Sequence, residues 1–151
     1  GVDSPKVATA TVRAAVAEAR RIEPKLTLLA GGHSFGGRMT TTAQSESPLD
    51  DVKGLVLFSF PLHAPNRPNN SRAAHLNAIK IPMLFLSGTR DALNDLDLFR
   101  PVIKKLGRRA TLHLLDTADH SYKVLKKTRT SAEDVFAEIA RTVSVWACSL
   151  G

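Results

Sequence analysis

Gly32-His33-Ser34-Phe35-Gly36 fits the spacing G-x-S-x-G, and Gly37 follows at once. The spacing has a steric reason. A chain that turns sharply from a strand into a helix holds its central residue in a strained conformation, with the flanking backbones almost touching. Glycine at the flanks leaves room for that turn. The turn lifts the Ser34 hydroxyl clear of the strand, and a helix starting near Phe35 aims its free N–H groups and positive dipole end at the same place. Ser34 is therefore a candidate nucleophile, and the Phe35 N–H a candidate donor to an oxyanion. A phosphate-cradling turn is the competing reading, but neither G-x-x-x-x-G-K-[ST] nor G-x-G-x-x-G is present.

A serine hydroxyl is a poor nucleophile at neutral pH, so it needs an imidazole to take its proton and a carboxylate to orient that imidazole. Asp91 and His120 follow Ser34 in the order Ser, Asp, His. Asp91 has rivals in Asp95, Asp97, Asp116 and Asp119, but it alone stands at a predicted strand end in a Gly-bearing loop. His120 competes with four histidines. His113 falls inside a predicted strand and is expected to pack in the core, His75 falls on a short helix, His33 is expected to point to the other side of the turn, and His63 lies in a Pro-rich loop.

These side chains can meet only if the elements carrying them are arranged for it. Asp3-Ser4-Pro5 reads as a helix start, and Val12, Ala15, Val16, Ala19 and Ile22 recur at helical spacing until Pro24. Leu26 to Ala30 reads as a strand buried on both faces, followed by a helix to about Gln44. Strands are predicted over 54–60, 82–87 and 110–115, with a short helix capped by Ser71. A further helix runs from about Asp95 to Leu106, where Pro101 kinks it or marks its start. Ser131 with Asp134 reads as a capping box opening the last helix, whose apolar face carries Val135, Ile139, Val143 and Trp146. Strands alternating with helices predict one parallel sheet covered on both faces, with loops after the strands gathered at one edge.

At 151 residues, with 43% hydrophobic and 23% charged side chains, the chain reads as a single globular domain (1–151). No apolar run is long enough to span a bilayer, so no membrane partner is expected. The single cysteine, Cys148, excludes an internal disulfide and a Cys-based zinc site, and a reducing, cytoplasmic setting is the default. The net charge of +7 is dispersed except at Lys123, Lys126, Lys127 and Arg129. That cluster lacks interleaved aromatics, so it reads as a solvated surface and not as a nucleic-acid site.

Three stretches, G-G-H-S-F-G-G-R-M, S-G-T-R-D-A-L and T-A-D-H-S-Y-K-V, resemble the nucleophile elbow, acid loop and histidine loop of the α/β-hydrolase superfamily, in its dienelactone-hydrolase-like branch. The loop F-P-L-H-A-P-N-R-P, followed by R-A-A-H-L, resembles a smaller group that includes the hydrolase-like regulatory subunits of the NSL chromatin complex. The resemblance implies Ser34 as nucleophile, Asp91 as acid, His120 as base and the Phe35 N–H as oxyanion donor. It sets His63 and Arg67, with His33, at the rim, and it implies no metal and no cofactor. The expected activity is a serine hydrolase cleaving a small ester, thioester or related acyl compound. The alternative is a hydrolase-fold scaffold or binding subunit.

Members of the superfamily resemble one another in carrying further strands before the first helix seen here, with a loop bearing a second oxyanion donor. The sequence accordingly reads as the C-terminal portion of that fold. The edge of the strand Leu26–Ala30 is then expected to be covered by an N-terminal segment or by a second copy in a homodimer.

Overall fold

A computed structural model describes all residues, Gly1 to Gly151. Its four strands, β1 (Leu28–His33), β2 (Val52–Phe58), β3 (Met83–Gly88) and β4 (Ala110–Leu115), form one parallel sheet in the order β1-β2-β3-β4. The helices are α1 (Pro5–Ile22), α2 (Phe35–Glu46), α3 (Leu96–Leu106) and α4 (Val135–Ser149), with a 3-10 helix at Ser71–Ala78. Each strand is followed by a crossover and the next strand lies beside it, so all four carboxyl ends open on the same edge. The register places His33 beside Phe58, Phe58 beside Leu86, and Gly88 beside Leu115.

Two apolar layers hold the sheet. On one face Leu55, Leu57, Met83 and Phe85 pack with Val16 of α1, Ala43 of α2 and Phe99 and Leu106 of α3. On the other, Val56, Leu84 and Leu86 pack with Val135, Ile139 and Trp146 of α4. Alternate residues of a strand serve opposite faces, so the continuous apolar runs of β2 and β3 are those of strands covered on both sides.

Several boundaries differ from the sequence reading. β1 starts at Leu28, not Leu26, which is 63% exposed; Leu28, Leu29 and Ala30 are only half-buried, because β1 pairs with β2 alone and stands at the edge of the sheet. β2 runs over Val52–Phe58 and not 54–60, since left-handed turns at Asp51 (φ 55°) and Ser59 (φ 48°) bound it at both ends. Ile22 lies at the end of α1 with its side chain exposed. α3 begins at Leu96, capped by the Asp95 carboxylate on the Asp97 N–H, and Pro101 falls inside it instead of starting it. Asp134 is itself the cap of α4, accepting from Phe136 and Ala137, while Ser131 accepts only from Glu133. Asn70, not Ser71, precedes the 3-10 helix.

Candidate active site

Ser34 follows β1 directly and adopts φ 52° and ψ −117°, a left-handed conformation costly for a residue with a side chain. Its own N–H donates to the Phe58 carbonyl at 2.8 Å, tying the turn to β2. The close approach that glycine permits is between Gly32 and Gly37. A Cβ on Gly32 would stand 2.8 Å from the Gly36 carbonyl carbon, and one on Gly37 would stand 2.7 Å from the Gly32 oxygen. Gly36 itself faces open space, so of the G-x-S-x-G glycines only the first is needed for its own lack of a side chain. Phe35 opens α2, and the N–H of a first helical residue has no acceptor within its own helix.

The loops after β3 and β4 bring the other two groups to Ser34. Asp91 has a fully buried carboxylate whose Oδ1 accepts from the Leu93 N–H at 2.8 Å. The same carboxylate accepts from His120 Nδ1, at 2.8 Å for Oδ2 and 3.0 Å for Oδ1. A carboxylate can only accept, so Nδ1 carries the proton and Nε2 keeps its lone pair. Ser34 Oγ lies 2.8 Å from that Nε2 and donates to it. The three side chains thus form one continuous line, buried at the aspartate and open at the serine.

The acid and histidine loops are fastened to each other. A Cβ on Gly88 would fall 2.2 Å from the Ala118 oxygen, so only glycine lets the two loops touch. Thr89 Oγ1 accepts from the Thr117 N–H at 2.8 Å, and Arg90 Nε donates to the Thr117 carbonyl at 2.8 Å. Tyr122, which residue types and spacing did not single out, is buried beneath the histidine loop and donates its hydroxyl to the Leu86 carbonyl at 2.8 Å. Burial pushes its phenol up to about 12. As the one tyrosine of the chain, two residues past His120, it was the available signal.

The rim candidates separate. His33 does not turn away from the site: its Nε2 donates to the His120 carbonyl at 3.0 Å, and the two rings lie 5.3 Å apart. His63 is buried away from solvent, with Nδ1 donating to the Ala64 carbonyl and Nε2 accepting from the Asp95 N–H at 3.1 Å, so it pins the loop after β2 to the start of α3. Arg67 is exposed on that same loop. His113 is half-buried, not a core residue, and pairs with Glu138 of α4 at 2.8 Å. Arg129 leaves the basic cluster, because its buried guanidinium pairs with Glu138 and donates to the Asp116 carbonyl. No three His, Cys, Asp or Glu side chains are grouped to hold a metal ion, and no helix is long and apolar enough to cross a membrane.

A family model described as an alpha/beta hydrolase domain matches residues 3–148. The chain belongs to the alpha/beta hydrolase family. Solved structures share its fold. An alpha-beta serine hydrolase homologue from Coxiella burnetii superposes with a TM-score of 0.64 at 14% identity, over 80% of this chain and 53% of that one. A serine hydrolase without a lid from Xanthomonas campestris gives 0.61 at 21% identity, over 81% and 51%. A monoacylglycerol lipase of Paleococcus ferrophilus gives 0.70 at 16% identity, over 100% and 77%. The present hydrolase domain thus spans about half the length of the first two, and at these identities the likeness is one of fold.

Proposed function

We propose that this hydrolase domain is a serine hydrolase acting on an ester, thioester or related acyl compound, with Ser34 as nucleophile, His120 as base and Asp91 as the acid that orients it. The observation that carries the reading is the unbroken hydrogen-bonded line from Ser34 through His120 to Asp91. Ser34 Oγ attacks the acyl carbon as its proton passes to His120 Nε2, and the Asp91 carboxylate stabilises the imidazolium through Nδ1–H. The oxygen that gains charge faces the Phe35 N–H at the positive end of α2. Collapse of the tetrahedral adduct breaks the bond to the leaving alkoxide or thiolate, which takes the proton from His120. Water then gives a proton to His120 and attacks the acyl-enzyme, and Ser34 leaves with that proton restored.

The stretches around Ser34, Asp91 and His120 support a place in the dienelactone-hydrolase-like branch, and the loop after β2 supports kinship with the hydrolase-like NSL subunits. A single exposed cysteine supports a cytoplasmic setting. The alternative is a hydrolase-fold scaffold or binding subunit, because a fold does not by itself fix a function.

Labelling with a fluorophosphonate probe separates the readings. Mass spectrometry is expected to find the adduct on Ser34, absent from Ser34→Ala and at least tenfold slower in His120→Ala. A folded protein that takes no label on Ser34 is a scaffold.

A further inference from the structure

Between β4 and α4 the chain runs from Asp116 to Asp134 without a helix or strand, and His120 belongs to that stretch. A connection of this kind has no ladder to fix it, so the place of His120 depends on the bonds its loop makes with its surroundings. Around His120 the loop is bonded mainly to itself. The Asp119 Oδ1 accepts from the Ser121 and Lys123 N–H groups, both at 2.9 Å, and the Asp119 N–H donates to the Lys123 carbonyl at 3.0 Å. Asp119 to Lys123 is therefore a closed turn that moves as one piece unless a group outside it holds both of its ends.

Arg90 does so. Its backbone N–H donates to the Ala118 carbonyl at 2.9 Å, its Nε to the Thr117 carbonyl at 2.8 Å and its Nη2 to the Lys123 carbonyl at 3.4 Å. One guanidinium thus meets the backbone on both sides of His120. Gly88 and Thr89 touch the same loop only before His120, at Ala118, Asp119 and Thr117. From the other directions the loop is met by single hydrogen bonds, His33 Nε2 on the His120 carbonyl and the Tyr122 hydroxyl on the Leu86 carbonyl. Arg90 also directly precedes Asp91, whose carboxylate accepts from His120 Nδ1, so the group that orients the ring and the group that holds its turn belong to one short loop. Arg90 is exposed and is part of neither apolar layer. A lysine, a point charge on a flexible stem, does not reproduce the fork that reaches two carbonyls at once.

We propose that Arg90 is a positioning residue: by bridging the acid loop to both ends of the Asp119–Lys123 turn, it holds the His120 ring between Ser34 Oγ and Asp91. The proposal rests on the serine hydrolase reading of the site. Arg90 touches no reacting atom and acts through His120 alone.

The test uses p-nitrophenyl acetate, a neutral ester that offers the guanidinium no charge to bind. In Arg90→Ala kcat is expected to fall by about tenfold or more, since small misplacements of a reacting group are costly, while KM changes by less than about twofold. Arg90→Lys, which keeps the charge without the fork, should recover little of the loss. Ethylguanidinium added to Arg90→Ala should restore part of the rate, and ethylammonium at the same concentration should not. A readout that needs no turnover is the low-field NMR resonance of the proton between Asp91 and His120, expected to be broadened or lost in Arg90→Ala while Tm changes little. If Arg90→Ala does not fold, Arg90→Gln takes its place. An unchanged kcat, a resonance as sharp as in the parent, or full recovery in Arg90→Lys overturns the proposal. A parent that hydrolyses no ester and takes no fluorophosphonate, yet loses the resonance on Arg90→Ala, overturns the hydrolase reading and leaves the placement of His120 by Arg90 standing.

Discussion

At the scale of single residues, His33 links the proposed nucleophile Ser34 to the proposed base His120. It directly precedes Ser34, and its Nε2–H holds the main-chain carbonyl of His120, the residue whose ring must reach both Ser34 Oγ and Asp91. Tyr122 supports the same arrangement from beneath, with its ring 6.1 Å from that of His33 and its hydroxyl fixed on Leu86. Under the proposed mechanism His33 is a positioning residue, since it touches His120 through the backbone carbonyl and not through the ring that would carry the proton. An ångström of misplacement can cost ~10² in rate. His33→Phe is therefore expected to lower kcat for a neutral activated ester by about that factor with little change in KM, and His33→Gln, which keeps a donor, to recover much of it. Equal losses in the two variants would assign His33 to packing instead.

At the scale of elements, the seam between α2 and the 3-10 helix joins the helix that follows Ser34 to the segment between β2 and β3. Its fastening is the bond from His75 to Thr41, whose hydroxyl in turn donates to the Arg38 carbonyl at 2.8 Å. Burial holds the His75 pKa below its ordinary 6.5, Arg38 adds to that, and Glu46 opposes it. A ring whose folded-state pKa is depressed contributes its full stability above the unfolded-state value. As pH falls below about 6.5, the unfolded chain takes up a proton that the folded one resists, and stability is lost. Melting curves between pH 7.5 and pH 5 should accordingly fall more steeply for the parent than for His75→Gln, which keeps a donor but does not titrate. Parallel curves would remove His75 as the cause.

At the scale of the whole molecule, the outer edge of β1 pairs with no other strand. Beside it runs a groove of about 250 Å³ lined by Val12, Ala15, Val16 and Ala19 of α1 and by Leu28 to Gly31 of β1. Unpaired backbone groups next to apolar side chains favour the addition of another strand, and no Lys or Pro within β1 discourages it. We propose that this edge is covered in the working protein, by further chain or by a second copy. Light scattering is then expected to find a dimer of the 151-residue chain, or hydrogen exchange to find the Leu28–His33 amides protected in a longer polypeptide. Stable monomers in both, with those amides exchanging freely, would refute the proposal.

The local signals in the sequence carried far where local chemistry decides the outcome. The strand-turn-helix at Ser34, the position of Asp91 and His120 after successive strands, and the start of α1 at Ser4-Pro5 all follow from steric and hydrogen-bonding demands within a few residues. The span of β4, Ala110–Leu115, was legible to the residue as an apolar run after the helix that ends near Leu106. Other features depend on what lies across space. Whether His33 faces the histidine loop, whether His63 is a rim or an anchor, and whether Arg129 is surface or buried turn on partners 87, 32 and 9 residues away in the chain. Residue type and spacing determine which groups are able to react; tertiary structure decides which partners each of them meets, because those partners come from segments that only the fold brings together.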